Sequence, residues 1–296
     1  MTSETIASAE MLLFDQRTYR EKCTYLGDRL HGITFAYDIS RRCNRSLCVR
    51  WHPECPLSMF LDAQNLVWEC PDAEERFHGN VSRLYTFHGD RDKYGLELSN
   101  LLKDTSKVIR MRGNARLPFD KTRDIFRLLF KPSRTLVRDA TRLISTTVDS
   151  RRYAGVHIRM GDAANGSAVY TYPWFANDHR LTKENVQNII DRVRRKHRLL
   201  WVATDNFALR QEIAQGAFHN VVVWNYSMHD HSAMQNPHSL RHMKVSFLEA
   251  MIMGSGSCLV PGIKTDARGG VGNSWQTASG FSVVSHLLTG VPMCKI

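Results

Sequence analysis

From Tyr153 onward the chain alternates between short apolar runs and longer amphipathic stretches, and this alternation restricts the fold more than any other feature. The apolar runs are Tyr153–Arg159, Leu199–Thr204, Asn220–Trp224 and Cys258–Val260. The amphipathic stretches between and after them are Leu181–Arg195, Asn206–Gly216, Leu240–Met253 and Ser279–Leu288. Runs rich in Val, Ile and Leu, with no polar alternation, predict strands buried on both faces. Strands joined through helices predict a parallel sheet with helices packed on each side. Internal repeats and low-complexity segments are absent from the sequence.

The first half is also predicted to be α/β. Leu30, Ile33, Ala36, Tyr37 and Ile39 recur at helical spacing, with Gly27 and Asp28 at the expected helix start. Ser46–Trp51 then reads as a strand, so a loop–helix–strand unit opens the chain. Further strands are expected at Arg83–Phe87 and Lys107–Met111, and a helix over Thr122–Phe130. Lys131-Pro132-Ser133 breaks that helix, and Ser133 is placed to cap a second one running to about Val148. A boundary near residue 148 gives two domains, 1–148 and 149–296.

The 296 residues, 43% of them hydrophobic, suffice for two cores of moderate size. The formal net charge of +11 favours an acidic partner, such as a nucleic acid, an anionic surface or a phosphorylated small molecule. The densest basic stretch, "RVRRKHR" at Arg192–Arg198, contains no aromatic residue to stack on a base and reads as a solvated helix face. No run approaches the ~18 apolar residues of a membrane span. Seven cysteines occur without a C-x-x-C pair, which suggests reduced thiols and a cytoplasmic protein, or a Golgi-lumenal one if the sequence has lost an anchor. The sequons at Asn44, Asn80, Asn165 and Asn225 are read as unused.

In parallel α/β sheets, ligands bind beyond the carboxyl ends of strands, so the residues that end the strands carry the functional information. The run "YAGVHIRMGD" ends in His157, Arg159, Gly161 and Asp162. His157 and Arg159 share a face by the period of two. Arginine is the fork-shaped donor suited to phosphate, and Asp162 is placed to hold it. A strand-end ion pair beside a packed histidine explains the same residues equally well. The next strand ends at Thr204-Asp205-Asn206, which either caps a helix or presents the Asp205 carboxylate to a base or ribose. Ser279-Gly280-Phe281-Ser282 opens the final helix, where hydroxyls and free N–H groups can hold a phosphate or simply cap the helix.

Taken together, these stretches resemble the GDP-fucose-dependent fucosyltransferases of the GT-B type, the group of α-1,2-, α-1,6- and protein O-fucosyltransferases. "GDRLHGITFAYDISRRCNRSLCVRW" is similar to the family's glycine-rich helix start and following strand, and "GVHIRMGD" to its H-x-R-x-(G/T)-D signature. "LLWVATDN" is similar to its strand ending in T-D. "HMKVSFLEAMIMGSGSCLV" with "SGFSVVSHLLTGVP" is similar to its closing helix, strand and S-x-F segment. The four appear in the family's order over residues 24 to 292. Three departures stand out: Asp28 replaces a frequent asparagine, Met160 follows Arg159, and the glycine-rich segment Pro261–Thr277 is inserted before the S-x-F position.

The resemblance implies an α/β, GT-B-like fold of two Rossmann-like domains facing a cleft, the C-terminal one binding the nucleotide sugar on a parallel sheet. It implies transfer of fucose from GDP-fucose to a glycan or glycoprotein hydroxyl, inverting and without a metal. Arg159 would neutralise the leaving diphosphate. His157 would contact the ribose or guanine, and Asp205 would help to hold the guanosine. Ser279, Gly280, Phe281 and Ser282 would cradle the diphosphate. Gly27, Asp28 and Arg29 would approach from the first domain. Asp28, Asp162 and Glu249 are the candidate bases; Asp28 is preferred for its place at a helix start, and Glu249, in mid-helix, reads as structural.

Three rival readings arise from the residues. One is another nucleotide-sugar transferase using a metal at Asp90-x-Asp92, although Gly89 and Lys93 suit an ordinary turn. A second is a zinc site around His229, His231, His238 and His242, in a polar loop with no cysteine nearby. The third is a basic nucleic-acid-binding protein.

Overall fold

The structure is a computed structural model that describes residues 10–15, 26–52, 54–64, 67–68, 80–87, 94–148, 152–158, 183–204, 207–224, 240–262 and 278–295. The chain divides into two compact units, Met1–Ser133 with His238–Met243, and Arg134–Pro237 with Lys244–Ile296. The division falls one helix before the boundary expected near residue 148.

The first unit contains a five-stranded, all-parallel sheet. Its strands are β1 (Met11–Asp15), β2 (Ser46–Arg50), β4 (Val67–Trp68), β5 (Val81–Phe87) and β6 (Val108–Gly113), in the order β4-β2-β1-β6-β5. A small antiparallel pair, β3 (Leu61–Ala63) with β7 (Phe130–Pro132), lies apart from it. The helices are α1 (Leu26–Arg42), α2 (Gly95–Leu102) and α3 (Phe119–Leu129). α1 forms because Leu30, Ile33, Ala36 and Ile39 repeat at three-residue intervals, and all four are fully buried. The sequence reading missed β1, which is the central strand. "MLLFD" is too short to show a period, and all five residues are buried, so it carries no polar alternation.

The second unit holds a four-stranded parallel sheet of β8 (Ala154–Ile158), β9 (Leu200–Thr204), β10 (Val221–Val223) and β11 (Leu259–Val260), in the order β10-β9-β8-β11. Its helices are α4 (Arg134–Thr147), α5 (Lys183–Arg194), α6 (Phe207–Ala214), α7 (Leu240–Gly254, of which Leu240–Met243 belong to the first unit) and α8 (Gly280–Thr289). Every residue of β8 and β9 is buried, as expected for strands covered on both faces. Val186, Ile190 and Val193 of α5 and Leu209 and Ile213 of α6 join the strand side chains in one core. At Gly155, in β8, a Cβ would lie 2.2 Å from the Met253 carbonyl oxygen, so only glycine lets α7 approach the strand this closely. Arg192, Arg195, Lys196 and Arg198 of the basic stretch are exposed and Val193 is buried, consistent with a solvated helix face and the turn that follows it.

The expectation of reduced thiols fails. Cys258 and Cys294 form a disulfide, and Cys48 and Cys55 are also disulfide-bonded. Cys258 and Cys294 are 36 residues apart, a spacing with no motif. They meet because Met293 bridges to Leu259 beside β11, with the Cys294 amide donating to the Leu259 carbonyl at 2.9 Å. Among the described residues, no helix is long and apolar enough to cross a membrane.

Candidate functional site

In the second sheet the chain runs outward from β8 through β9 to β10, then returns to place β11 on the other side of β8. The reversal lies between β8 and β11, and in parallel α/β sheets the crevice beyond the carboxyl ends at such a reversal is where ligands bind. Two of the motifs singled out in the sequence meet at this point. His157 is the second-last residue of β8, and Gly262 and Ser279 follow β11 and precede α8.

The contacts among them are specific. The Nδ1 atom of His157 lies 2.9 Å from both the Ser279 and the Ser282 hydroxyl oxygens. The Ser282 oxygen accepts the Gly262 amide at 3.0 Å, and the Ser279 oxygen accepts the Ser282 amide at 3.3 Å, as an N-cap. The Ser279 amide donates to the Gly262 carbonyl at 2.8 Å. Gly262 is pressed against the ring: a Cβ there would lie 2.5 Å from His157 Nδ1. The Phe281 ring stands 5.0 Å from the imidazole, tilted by 52°. His157 is 8% exposed, and Ser279 and Ser282 are fully buried.

The two hydroxyls therefore face the imidazole and hold it in place, and they also lie 3.2 Å from each other. Both oxygens already accept an amide N–H. Their protons need acceptors, and the Nδ1 lone pair faces both. The N–H groups at the start of α8, at Gly280 and Phe281, are the remaining donors of the expected phosphate site.

The other predicted residues are distributed as follows. Arg159, Asp162 and Asp205 lie outside the described residues, as do Asp90, Asp92, His229, His231 and His238. Gly27 and Asp28 occupy the first turn of α1. Arg29 is buried, with its guanidinium 5.2 Å from the centre of the Trp51 ring. Glu249 is buried in an ion pair with Arg210 at 2.7 Å, consistent with the structural reading. Burial pushes its carboxyl upward, and the Arg210 charge opposes that shift.

Sequence reasoning missed two groups. Asp15 and Arg50 end the paired strands β1 and β2, in register, with their charged atoms 4.0 Å apart and both side chains buried. Both are strand-end residues, a signal available in principle, but β1 had not been recognised. Arg210 was also missed. Its guanidinium donates to the carbonyls of Thr204 at 2.6 Å and Trp224 at 2.8 Å as well as to Glu249, so it ties together the chain at the ends of β9 and β10. An arginine in a helix looks like surface charge until its burial is known.

No protein-family model matches the chain, and no curated protein matches it. Solved structures do. NodZ α-1,6-fucosyltransferase soaked with GDP-fucose superposes with a TM-score of 0.59, at 14% identity, over 95% of this chain and 93% of that one; another NodZ structure is described as from Bradyrhizobium. POFUT1 in complex with GDP-fucose gives 0.54 at 12% identity, over 96% of both chains. A mutant of Arabidopsis thaliana FUT1 in complex with GDP gives 0.54 at 12% identity, over 96% of this chain and 69% of that one. The chain has the fold of the GT-B fucosyltransferases. At this identity the likeness concerns the fold, and the case for chemistry rests on the residues at the β8–β11 reversal.

Proposed function

We propose that the protein is a fucosyltransferase that moves fucose from GDP-fucose to a hydroxyl of a glycan or glycoprotein, with inversion and without a metal. The observation that carries this reading is the meeting of His157 with Gly262, Ser279, Phe281 and Ser282 at the reversal of the second sheet. His157, Ser279, Phe281 and Ser282 come from the two motifs that resemble the donor-binding segments of fucosyltransferases, and Gly262 comes from the glycine-rich segment inserted between β11 and α8. They lie in a fold shared with NodZ, whose structure was soaked with GDP-fucose.

In this reading Arg159, two residues past His157 in the H-x-R motif, offsets the charge that builds on the departing diphosphate. The Gly280 and Phe281 amides at the head of α8 add N–H donors for the same oxygens. His157 is held through Nδ1, so its contact with the nucleoside is made through Nε2 or the ring face. Asp205 holds the guanosine. Asp28, at the head of α1, takes the acceptor proton. The disulfides favour an oxidising compartment over the cytoplasm.

A thermal-shift screen of GDP, GDP-fucose, UDP, ADP and a short oligonucleotide tests the donor. Stabilisation by GDP and GDP-fucose is expected. Stabilisation by UDP alone would point to another nucleotide-sugar transferase, and by the oligonucleotide alone to a nucleic-acid-binding protein. A glycan array with GDP-fucose then identifies the acceptor. Arg159→Ala should reduce GDP release at least about a hundredfold without unfolding the protein. Unchanged turnover in that variant would remove Arg159 from the mechanism.

A further inference from the structure

Three chain segments converge at the amino ends of the second sheet, the opposite ends of the strands from His157. Cys258 leads into β11, Cys294 follows the Leu259–Met293 bridge, and His197 lies between α5 and β9. The His197 Nε2 atom is 3.4 Å from the Cys258 sulfur. The Cys258, Cys294 and His197 ligand atoms all lie within 4.8 Å of one another. Both cysteines are buried, and His197 is half-buried.

We propose that these three side chains form a zinc site when the Cys258–Cys294 disulfide is reduced. A dithiol reductant supplies two electrons and two protons, breaks the S–S bond and leaves two thiols, becoming a disulfide itself. Zinc then displaces both thiol protons. Two thiolates and a neutral imidazole supply three ligands of a tetrahedral ion, and water takes the fourth position. Thiolate with imidazole and no carboxylate is a soft-to-borderline set that suits zinc and disfavours magnesium or calcium.

The geometry needs little adjustment. The two cysteine α-carbons lie 4.9 Å apart. Zn–S bonds of about 2.3 Å at a tetrahedral angle place two thiolate sulfurs roughly 3.7 Å apart, a separation that side chains on this backbone reach by rotation. Reduction does not release the ligands, because backbone bonds hold each segment. The Cys294 amide donates to Leu259 at 2.9 Å, the Leu259 amide to Pro292 at 2.8 Å and the His197 amide to Val193 at 3.0 Å. Lys196 also donates through Nζ to the Lys295 carbonyl at 2.8 Å, tying the His197 loop to the segment that carries Cys294. The same clamp on β11 is thus closed by a covalent bond in the oxidised chain and by a metal ion in the reduced one. Lying at the far ends of the strands, it takes no part in the transfer proposed above.

The test uses the whole protein, reduced with a dithiol, desalted without oxygen and titrated with zinc against a chromophoric chelator. Reduced wild type should bind one zinc more than reduced Cys258→Ser, and the oxidised protein should lack that zinc. His197→Ala keeps both cysteines and the disulfide. Once reduced, and shown to be folded by circular dichroism, it should bind the same zinc at least about tenfold more weakly. Equal zinc uptake by reduced wild type and Cys258→Ser, or a His197→Ala titration matching wild type, overturns the proposal.

Discussion

The Ser279 amide donates to the Gly262 carbonyl at 2.8 Å, so these two residues form a closed neck beside β11. The sequence shows an insertion there, relative to the fucosyltransferase pattern, that would displace the S-x-F residues. The closed neck cancels that effect. Ser279 starts α8 directly beyond β11, as a short connection would place it.

Gly262→Ala tests this neck. The added methyl would lie 2.5 Å from His157 Nδ1 and 2.9 Å from the His157 carbonyl oxygen, so the ring must move. Overpacking of this kind costs about 1–3 kcal/mol. The expected result is a folded protein with a melting point lower by several degrees and GDP stabilisation largely lost. Wild-type GDP binding in Gly262→Ala would show that the ring position is irrelevant to the donor.

Ser282→Ala removes one hydroxyl from His157 and leaves the buried Gly262 amide without that acceptor. An unpaired buried donor costs about 1–3 kcal/mol. In wild type the imidazole proton is expected on Nε2, because Nδ1 receives a serine hydroxyl proton. Nitrogen NMR of labelled histidine reads the tautomer directly. A proton on Nδ1 in the wild-type protein would contradict this arrangement.

Much of the second unit was legible in the sequence because each of its strands is a short apolar run set between amphipathic helices. The amphipathic period of α1 was equally plain. β1 was not legible, since five buried residues in a row carry no period. Asp15 and Arg50 disappeared with it, as strand-end residues are noticed only once the strand is. The Cys258–Cys294 pair depends on a bridge between Leu259 and Met293 that no local pattern announces. His157 and Ser279 could each be named, but not their contact, because a separation of 122 residues gives no local signal that the hydroxyl meets the imidazole.

The Arg29 guanidinium lies 5.2 Å from the centre of the Trp51 ring. Arg29→Lys keeps the charge and loses the flat guanidinium that lies on the ring. A loss of about 1–2 kcal/mol of stability is expected from a desolvated contact of this type. Thermal denaturation of the variant checks it, alongside the Michaelis constant for GDP-fucose. A variant with unchanged melting point and a raised Michaelis constant would place Arg29 at the donor site.

Arg210 and Glu249 give a prediction that depends on pH. Breaking a buried ion pair by removing one partner costs about 3–5 kcal/mol, because the other charge is left uncompensated. Arg210→Met should therefore destabilise the protein strongly at neutral pH. Burial raises the Glu249 carboxyl above its ordinary value, and Arg210 holds that rise in check. Without the arginine the carboxyl rises further and takes up a proton more readily in the folded state. A raised folded-state value favours folding below the ordinary glutamate range, and the benefit is lost as pH climbs through the raised value. The deficit of Arg210→Met relative to wild type should thus be largest at neutral pH and shrink as the solution is acidified. Adding Glu249→Gln to Arg210→Met should recover part of the loss at neutral pH and flatten this dependence. Denaturant titrations of the three proteins at mildly acid and neutral pH measure both effects. A deficit independent of pH would mean that Glu249 is not the group left exposed to the penalty, and that the lost Arg210 bonds to Thr204 and Trp224 carry the cost instead.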